Sequence, residues 1–156
     1  FNFTNSRDLS LLCVSRQRSL GIDLEHLGRH ADYAGIVNRF FAEHEIEELF
    51  SIPENSRQSA FFTGWTRKEA YIKAIGKGLA QPLDQFQVSL APGEPARLLN
   101  VEGAPEEASR WSLKALTPDP GYAAALAVEG HHWRPVFWQF PKSTSEIHRT
   151  FQTSLV

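Results

Sequence analysis

The sequence predicts an α+β domain in layers, from three observations. Short β-prone segments stand at both ends, two consecutive helical segments lie between them, and glycine and proline mark most of the joins. The first strands are residues 9–14 and 19–25, both short and apolar, and the polar stretch SRQR between them predicts a hairpin. Residues 36–50 place Ile36, Val37, Phe40, Phe41, Ile46, Leu49 and Phe50 at helical spacing, with Pro53 beyond the end. A second helix is predicted over 57–75, rich in aromatic, lysine and glutamate residues and ended by Gly76. From Phe86 the period changes to two, so Phe86, Val88 and Leu90 share one face of a strand. Residues 91–109 read as a loop, and 111–116 with 122–128 as a second hairpin joined by TPDPG. Past 129 the pattern fades. Trp133, Phe137, Trp138 and Phe140 are expected to pack back on the domain or on something absent, so the chain divides into a domain over 1–128 and a tail over 129–156.

Composition narrows the function. The chain has 156 residues, is 42% hydrophobic and carries a net charge of −2, enough for one domain with a core. No positive field draws in nucleic acid, although a few local lysines suffice for a small anion. No run approaches the roughly eighteen apolar residues of a membrane helix. With no secretory signal either, the expectation is a cytoplasmic protein with no membrane partner. Cys13 is the single cysteine and lies in an apolar run, which fits a core residue and excludes an internal disulfide. The chain opens on Phe1 and holds no methionine, so it reads as a processed or truncated product.

Two segments carry the candidate chemistry. In LGIDLEHL a strand over 20–25 projects Asp23 and Glu25 from one face and Leu20, Ile22 and Leu24 from the other. Two adjacent carboxylates repel unless a cation lies between them, and hard oxygen donors suit Mg²⁺. A solvated acidic face is the ordinary alternative. In FFTGWTRKEAYIKAIGKGL, Glu69 and Lys73 are i,i+4 with Thr66 nearby, while Trp65, Ile72 and Ile75 point to another side. Such a pair is commonly a surface ion pair worth about 0.3–0.5 kcal/mol. It can equally supply a third carboxylate and a phosphate-neutralising lysine. Lys68, Lys73 and Lys77 add positive charge toward the helix exit. The histidines (His26, His30, His44, His131, His132 and His148) show no zinc spacing and are given surface or capping roles.

Together the segments are more specific. Leu20-Gly21-Ile22-Asp23-Leu24-Glu25, then about forty residues, then Trp65-Thr66-Arg67-Lys68-Glu69-Ala70-Tyr71-Ile72-Lys73, resembles the paired signature of the 4′-phosphopantetheinyl transferase superfamily, with Leu20 where Ile or Val is usual. Arg39-Phe40-Phe41 is similar to the family's R-F-F segment. Gly76-Lys77-Gly78-Leu79 and Pro82-Leu83-Asp84-Gln85-Phe86 are similar to its helix exit. Phe1-Asn2-Phe3-Thr4-Asn5-Ser6 looks like F-N-x-S-H-S of the two-domain, surfactin-synthetase-activating type, with Asn5 in place of a coenzyme A-binding histidine. The resemblance covers residues 1 to about 128. It implies one half, the C-terminal one, of a pseudo-dimer in which an antiparallel sheet packs against two main helices.

That resemblance also implies an activity. The 4′-phosphopantetheine arm would pass from coenzyme A to a serine of an acyl or peptidyl carrier protein, releasing adenosine 3′,5′-bisphosphate. Mg²⁺ would be held by Asp23, Glu25 and Glu69. Glu69 would accept the serine proton, and Lys73 would act on the leaving phosphate. Asn5, Lys68, Lys73 and Lys77 would serve coenzyme A, with Lys68 against phosphate or the carrier. The partners implied are the carrier, coenzyme A, and either the missing N-terminal half or a second copy. A silent carrier-binding domain and another Mg²⁺-dependent phosphate enzyme are the alternatives.

Overall fold

A computed structural model describes residues 1–28, 33–78 and 81–140. In chain order it holds β1 (Asn2–Ser6), β2 (Leu9–Cys13), β3 (Leu20–His26), α1 (Tyr33–Phe40), α2 (Glu43–Ser51), α3 (Glu54–Ile75), β4 (Phe86–Val88), β5 (Leu98–Val101), a single turn α4 (Glu107–Arg110), β6 (Trp111–Leu116) and β7 (Tyr122–Glu129). The central sheet has the order β3-β7-β6 and is antiparallel throughout, with Gly21 opposite Ala127, Asp23 opposite Ala125 and Glu25 opposite Ala123. The α+β class and the 111–128 hairpin are as expected from the sequence.

The long helix α3 crosses one face of this sheet. A side chain on Gly21 would begin 2.1 Å from the Ala70 carbonyl oxygen and 2.4 Å from the Ala74 nitrogen. Glycine is therefore required for the helix to touch the strand backbone. Ala125 and Ala127 of β7, both fully buried, extend this small-residue seat. The opposite face of β3 carries Ile22 and Leu24. They pack with Leu126, Val128, Tyr122 and the partly buried Leu9, Leu11 and Cys13. Each such buried aliphatic contributes roughly 1.5–3 kcal/mol.

Helix α3 is buried nearly all round, which explains why it lacks a single apolar stripe. Its N-terminal half meets α1 and α2 through Phe41, Leu49, Phe61 and Phe62. Its C-terminal half meets the sheets through Tyr71, Ile72, Phe86 and Trp111. Gly76 ends it in the left-handed conformation, φ 68°, with its N–H on the Ile72 carbonyl.

Three expectations change. The predicted hairpin of 9–14 with 19–25 does not form. Residues 9–13 pair instead with β1 through the two-residue turn Arg7–Asp8, and β3 pairs with β7. Arg7 sits at φ 52°, a left-handed position that costs a non-glycine residue roughly 1–2 kcal/mol, so no glycine or asparagine flagged the turn. The single helix predicted over 36–50 is two, because Glu45 accepts the Ala42 N–H at 2.9 Å and starts α2 afresh. The stretch 91–109 contains β5 and α4. The tail expectation keeps both its alternatives: Trp133 is partly buried against Ile22 and Leu126, and Phe137, Trp138 and Phe140 are exposed; residues 141–156 lie outside the described residues.

Candidate active site

Because α3 rests on Gly21, the next residues on that face of β3, Asp23 and Glu25, lie under the helix. Lys73 on α3 places its Nζ 2.6 Å from Asp23 Oδ1 and also donates to the Ile22 carbonyl at 3.2 Å. Glu69, one turn earlier, lies within electrostatic range of Asp23, and Glu25 of both. The i,i+2 strand pair and the i,i+4 helix pair of the sequence therefore meet in one acidic cluster with a single lysine at it among the described residues.

The electrostatics of that cluster are unfavourable for its own charges. Burial pushes the Asp23 carboxyl up from 3.8 to about 6; Glu69 and Glu25 add to the rise, and Lys73 opposes it. The 2.6 Å ion pair and the raised pKa pull in opposite directions. Burial wins, because Lys73 is itself 28% exposed and shared among three acceptors. Burial likewise raises the Glu69 carboxyl, with Lys73 opposing and Glu25 reinforcing.

Strand β1 lines the site through a feature the sequence reading did not single out. Its alternate residues Asn2, Thr4 and Ser6 face β3. Asn2 Oδ1 accepts the Ile22 N–H at 3.0 Å, and Thr4 Oγ1 donates to Asp23 Oδ1 at 3.3 Å. Ser6 Oγ accepts the His26 N–H and donates to Glu25 Oε2, both at 3.1 Å. The i, i+2, i+4 polar alternation in NFTNS is the signal that reveals them. Asn5 points the other way, is exposed, and lines a 360 Å³ pocket with Ser6, Arg7, Glu25 and His26.

The lysines separate. Lys77 is exposed at the helix exit and contacts Gln81 at 3.5 Å. Lys68 is not at the site. It is fully buried on another side of α3, bonded to Glu45 at 2.7 Å and donating to the Leu83 and Phe86 carbonyls at 2.8 and 2.6 Å. All three ammonium donors are used, so the expectation that Lys68 contacts phosphate or carrier is withdrawn. Its neighbour Arg67 is also structural, donating to the Ser89 carbonyl at 2.6 Å and tying the chain after β4 to α3. Thr66 returns its hydroxyl to the Phe62 carbonyl at 2.9 Å.

The donor set suits a magnesium ion. Asp23 Oδ2 is buried with no hydrogen-bond partner among the described residues, in a cluster of carboxylates whose mutual repulsion a cation would relieve. Among the described residues, no three His, Cys, Asp or Glu side chains are grouped closely enough to hold an ion together. Magnesium is usually bound through one or two carboxylates with water and substrate phosphates, and the cluster meets that demand. No helix among the described residues is long and apolar enough to cross a membrane.

Comparison with known proteins agrees with this layout. The chain is 42% identical over 140 residues to the 4′-phosphopantetheinyl transferase HetI of Nostoc sp. (strain PCC 7120 / SAG 25.82 / UTEX 2576), covering 90% of this chain and 56% of that protein. It is 31% identical over 118 residues to the 4′-phosphopantetheinyl transferase Sfp of Bacillus subtilis (strain 168), covering 76% of this chain and 50% of that one. The chain thus spans about half the length of the curated relatives it matches. Its fold is shared with a Chronobacterium ammoniagenes ACPS–CoA complex, at a TM-score of 0.55 and 19% identity, over 75% of this chain and all of that one. The profile of one family matches residues 19–127, from the strand of Asp23 to that of Ala125, and by that match the chain belongs to the 4′-phosphopantetheinyl transferase superfamily.

Proposed function

We propose that, in the whole protein, this chain carries the acidic half of an active site that moves the 4′-phosphopantetheine arm from coenzyme A to a carrier-protein serine, releasing adenosine 3′,5′-bisphosphate. The observation that carries the reading is Asp23: a buried carboxylate with one oxygen unpartnered, crowded by Glu25 and Glu69 and bonded by Lys73. Crowding buried carboxylates lowers stability, and a site for a cation and phosphates gives that arrangement a use.

Asp23 would hold Mg²⁺ together with Glu25 and Glu69, directly or through bound water, and the ion would supply charge neutralisation to a pyrophosphate. The chain's own groups do the rest. Glu69, whose carboxyl is raised by burial, accepts the proton of the incoming serine hydroxyl. Lys73 turns its ammonium from Asp23 toward the leaving phosphate, a short move for a partly exposed side chain. Lys77 and Asn5 remain candidates for coenzyme A contacts, as exposed groups at the two ends of the site. The missing-half reading is supported by Phe1, Phe3, Leu12 and Val14, which leave the outer face of the β1–β2 hairpin apolar and exposed beside β3. A partner half or a second copy would cover them. The cytoplasmic setting expected from the sequence is part of the same proposal.

The test has two readouts. Incubating the whole protein with coenzyme A, magnesium and an apo carrier should add one phosphopantetheine arm by mass spectrometry. Asp23→Ala or Glu69→Ala should abolish the product, while Glu25→Ala should lower it less. Separately, magnesium should raise the Tm of the wild type and leave that of Asp23→Asn unchanged. Full activity in the Asp23→Ala, Glu69→Ala double variant refutes the assignment.

A further inference from the structure

Among the described residues β3 pairs only with β7, so its outer edge presents N–H groups that an ordinary sheet would give to another strand. Strand β1 runs beside that edge in the same direction, yet it meets β3 with side chains instead of a backbone ladder. Asn2 Oδ1 takes the Ile22 N–H at 3.0 Å, and Ser6 Oγ takes the His26 N–H at 3.1 Å.

A backbone carbonyl in the same place could accept these N–H groups but could donate nothing. The serine hydroxyl does both. It receives the His26 N–H and passes its own proton to Glu25 Oε2 at 3.1 Å. Two residues earlier Thr4, 6% exposed, donates to Asp23 Oδ1 at 3.3 Å and accepts from Lys73 Nζ at 3.4 Å. Lys73 bonds that same Asp23 oxygen at 2.6 Å. Both donors to Asp23 thus converge on Oδ1, and Oδ2 keeps no hydrogen-bond partner among the described residues. Each acidic side chain of β3 therefore has one oxygen held by a β1 hydroxyl. Thr4 with Asp23 and Ser6 with Glu25 repeat at one spacing because both strands alternate with a period of two.

We propose that Thr4 and Ser6 are positioning residues, whose hydroxyls fix the Asp23 and Glu25 carboxylates in the orientation that a divalent cation needs. They act through the carboxylates and do not touch the ion themselves. A carboxylate turns easily about its last side-chain bond, so a hydrogen bond to one oxygen decides where the other points. Setting that orientation before the ion arrives removes part of the ordering cost of binding. Asn2 and Ser6 hold the strand edge on which both acids stand. The inference rests on the proposed function for the presence of a divalent cation at the cluster; the hydroxyl–carboxylate bonds stand on the geometry. Sequence reading singled out only Asn5 of this strand, whose side chain points the other way.

The test measures the Mg²⁺ affinity of the whole protein by calorimetry without coenzyme A, and amide hydrogen exchange in chelator by NMR. Thr4→Val keeps the shape of the side chain and removes the hydroxyl. It should weaken Mg²⁺ binding about 10- to 100-fold while the Ile22 and His26 amides exchange as in wild type. Thr4→Ser returns the hydroxyl and should restore the affinity. Ser6→Ala should weaken binding by a similar factor and speed exchange at His26, and Asn2→Ala should speed exchange at Ile22. Ser10→Ala, exposed on β2, should match wild type throughout. Wild-type Mg²⁺ affinity in both Thr4→Val and Ser6→Ala overturns the proposal. So does a loss in Thr4→Ser as large as in Thr4→Val, or an absence of Mg²⁺ binding by the wild type. Failure of the transferase reading alone would look different, as absent carrier modification with the graded Mg²⁺ affinities intact.

Discussion

Replacing Asp23 by asparagine should stabilise the metal-free protein at neutral pH. The side chain is 6% exposed, and its carboxyl titrates near 6 in the folded state against an ordinary 3.8. An acid whose folded pKa is raised binds more protons folded than unfolded, so stability falls as pH rises from about 4 to about 6, then levels. At about 1.4 kcal/mol for each pH unit, the ionised form costs about 3 kcal/mol. Asparagine is close in shape and cannot ionise. In chelator, urea unfolding of the two proteins should therefore give similar stabilities near pH 4 and a gap opening to about 3 kcal/mol by pH 7, in favour of Asp23→Asn. Glu69, Glu45 and Glu48 are also raised by burial, but both proteins contain them and the difference removes them. A gap independent of pH, or one growing in favour of wild type, refutes the reasoning. It would mean that the Lys73 ion pair outweighs burial.

Gly21→Ala should be destabilising by several kcal/mol, because the added carbon meets the Ala70 carbonyl and Ala74 nitrogen inside contact distance; thermal unfolding checks it. Lys68→Met should cost about 3–5 kcal/mol by leaving Glu45 buried without its cation, and adding Glu45→Gln should recover much of that in urea unfolding. In the whole protein the double variant should keep the proposed coenzyme A binding, measured by calorimetry, because Lys68 is buried away from the acidic site. In the whole protein, Lys73→Ala should lower kcat more than it raises KM, as the role proposed for it on the leaving phosphate requires. Lys73→Arg should rescue little, and an effect confined to KM would contradict that role.

Residues close together in the chain were legible in advance. The alternation of Asp23 and Glu25 on one strand face with Leu20, Ile22 and Leu24 on the other, the i,i+4 pair Glu69 and Lys73, the Gly76 helix stop and the hairpin of β6 with β7 all follow from local sequence pattern. Paired motifs then pointed to the family, which the comparisons bear out.

Tertiary structure decided what depends on partners distant in sequence. Lys68 and Lys73 lie five positions apart on the same helix with similar neighbours, and nothing local distinguishes a buried strut from a site cation. The distinction is made by Glu45, Leu83 and Phe86 around one and by Asp23 and Ile22 around the other. The early strands were mispaired for the same reason: sequence shows which segments are extended, while the choice of neighbour rests on which apolar faces meet. Asn2, Thr4 and Ser6 became part of the site only because that pairing set β1 along β3. Arg7 closes the turn between β1 and β2 in a left-handed conformation that its residue type does not advertise. Sequence period thus determined the side-chain faces, and the packing of α3 on Gly21 decided which of them form a site.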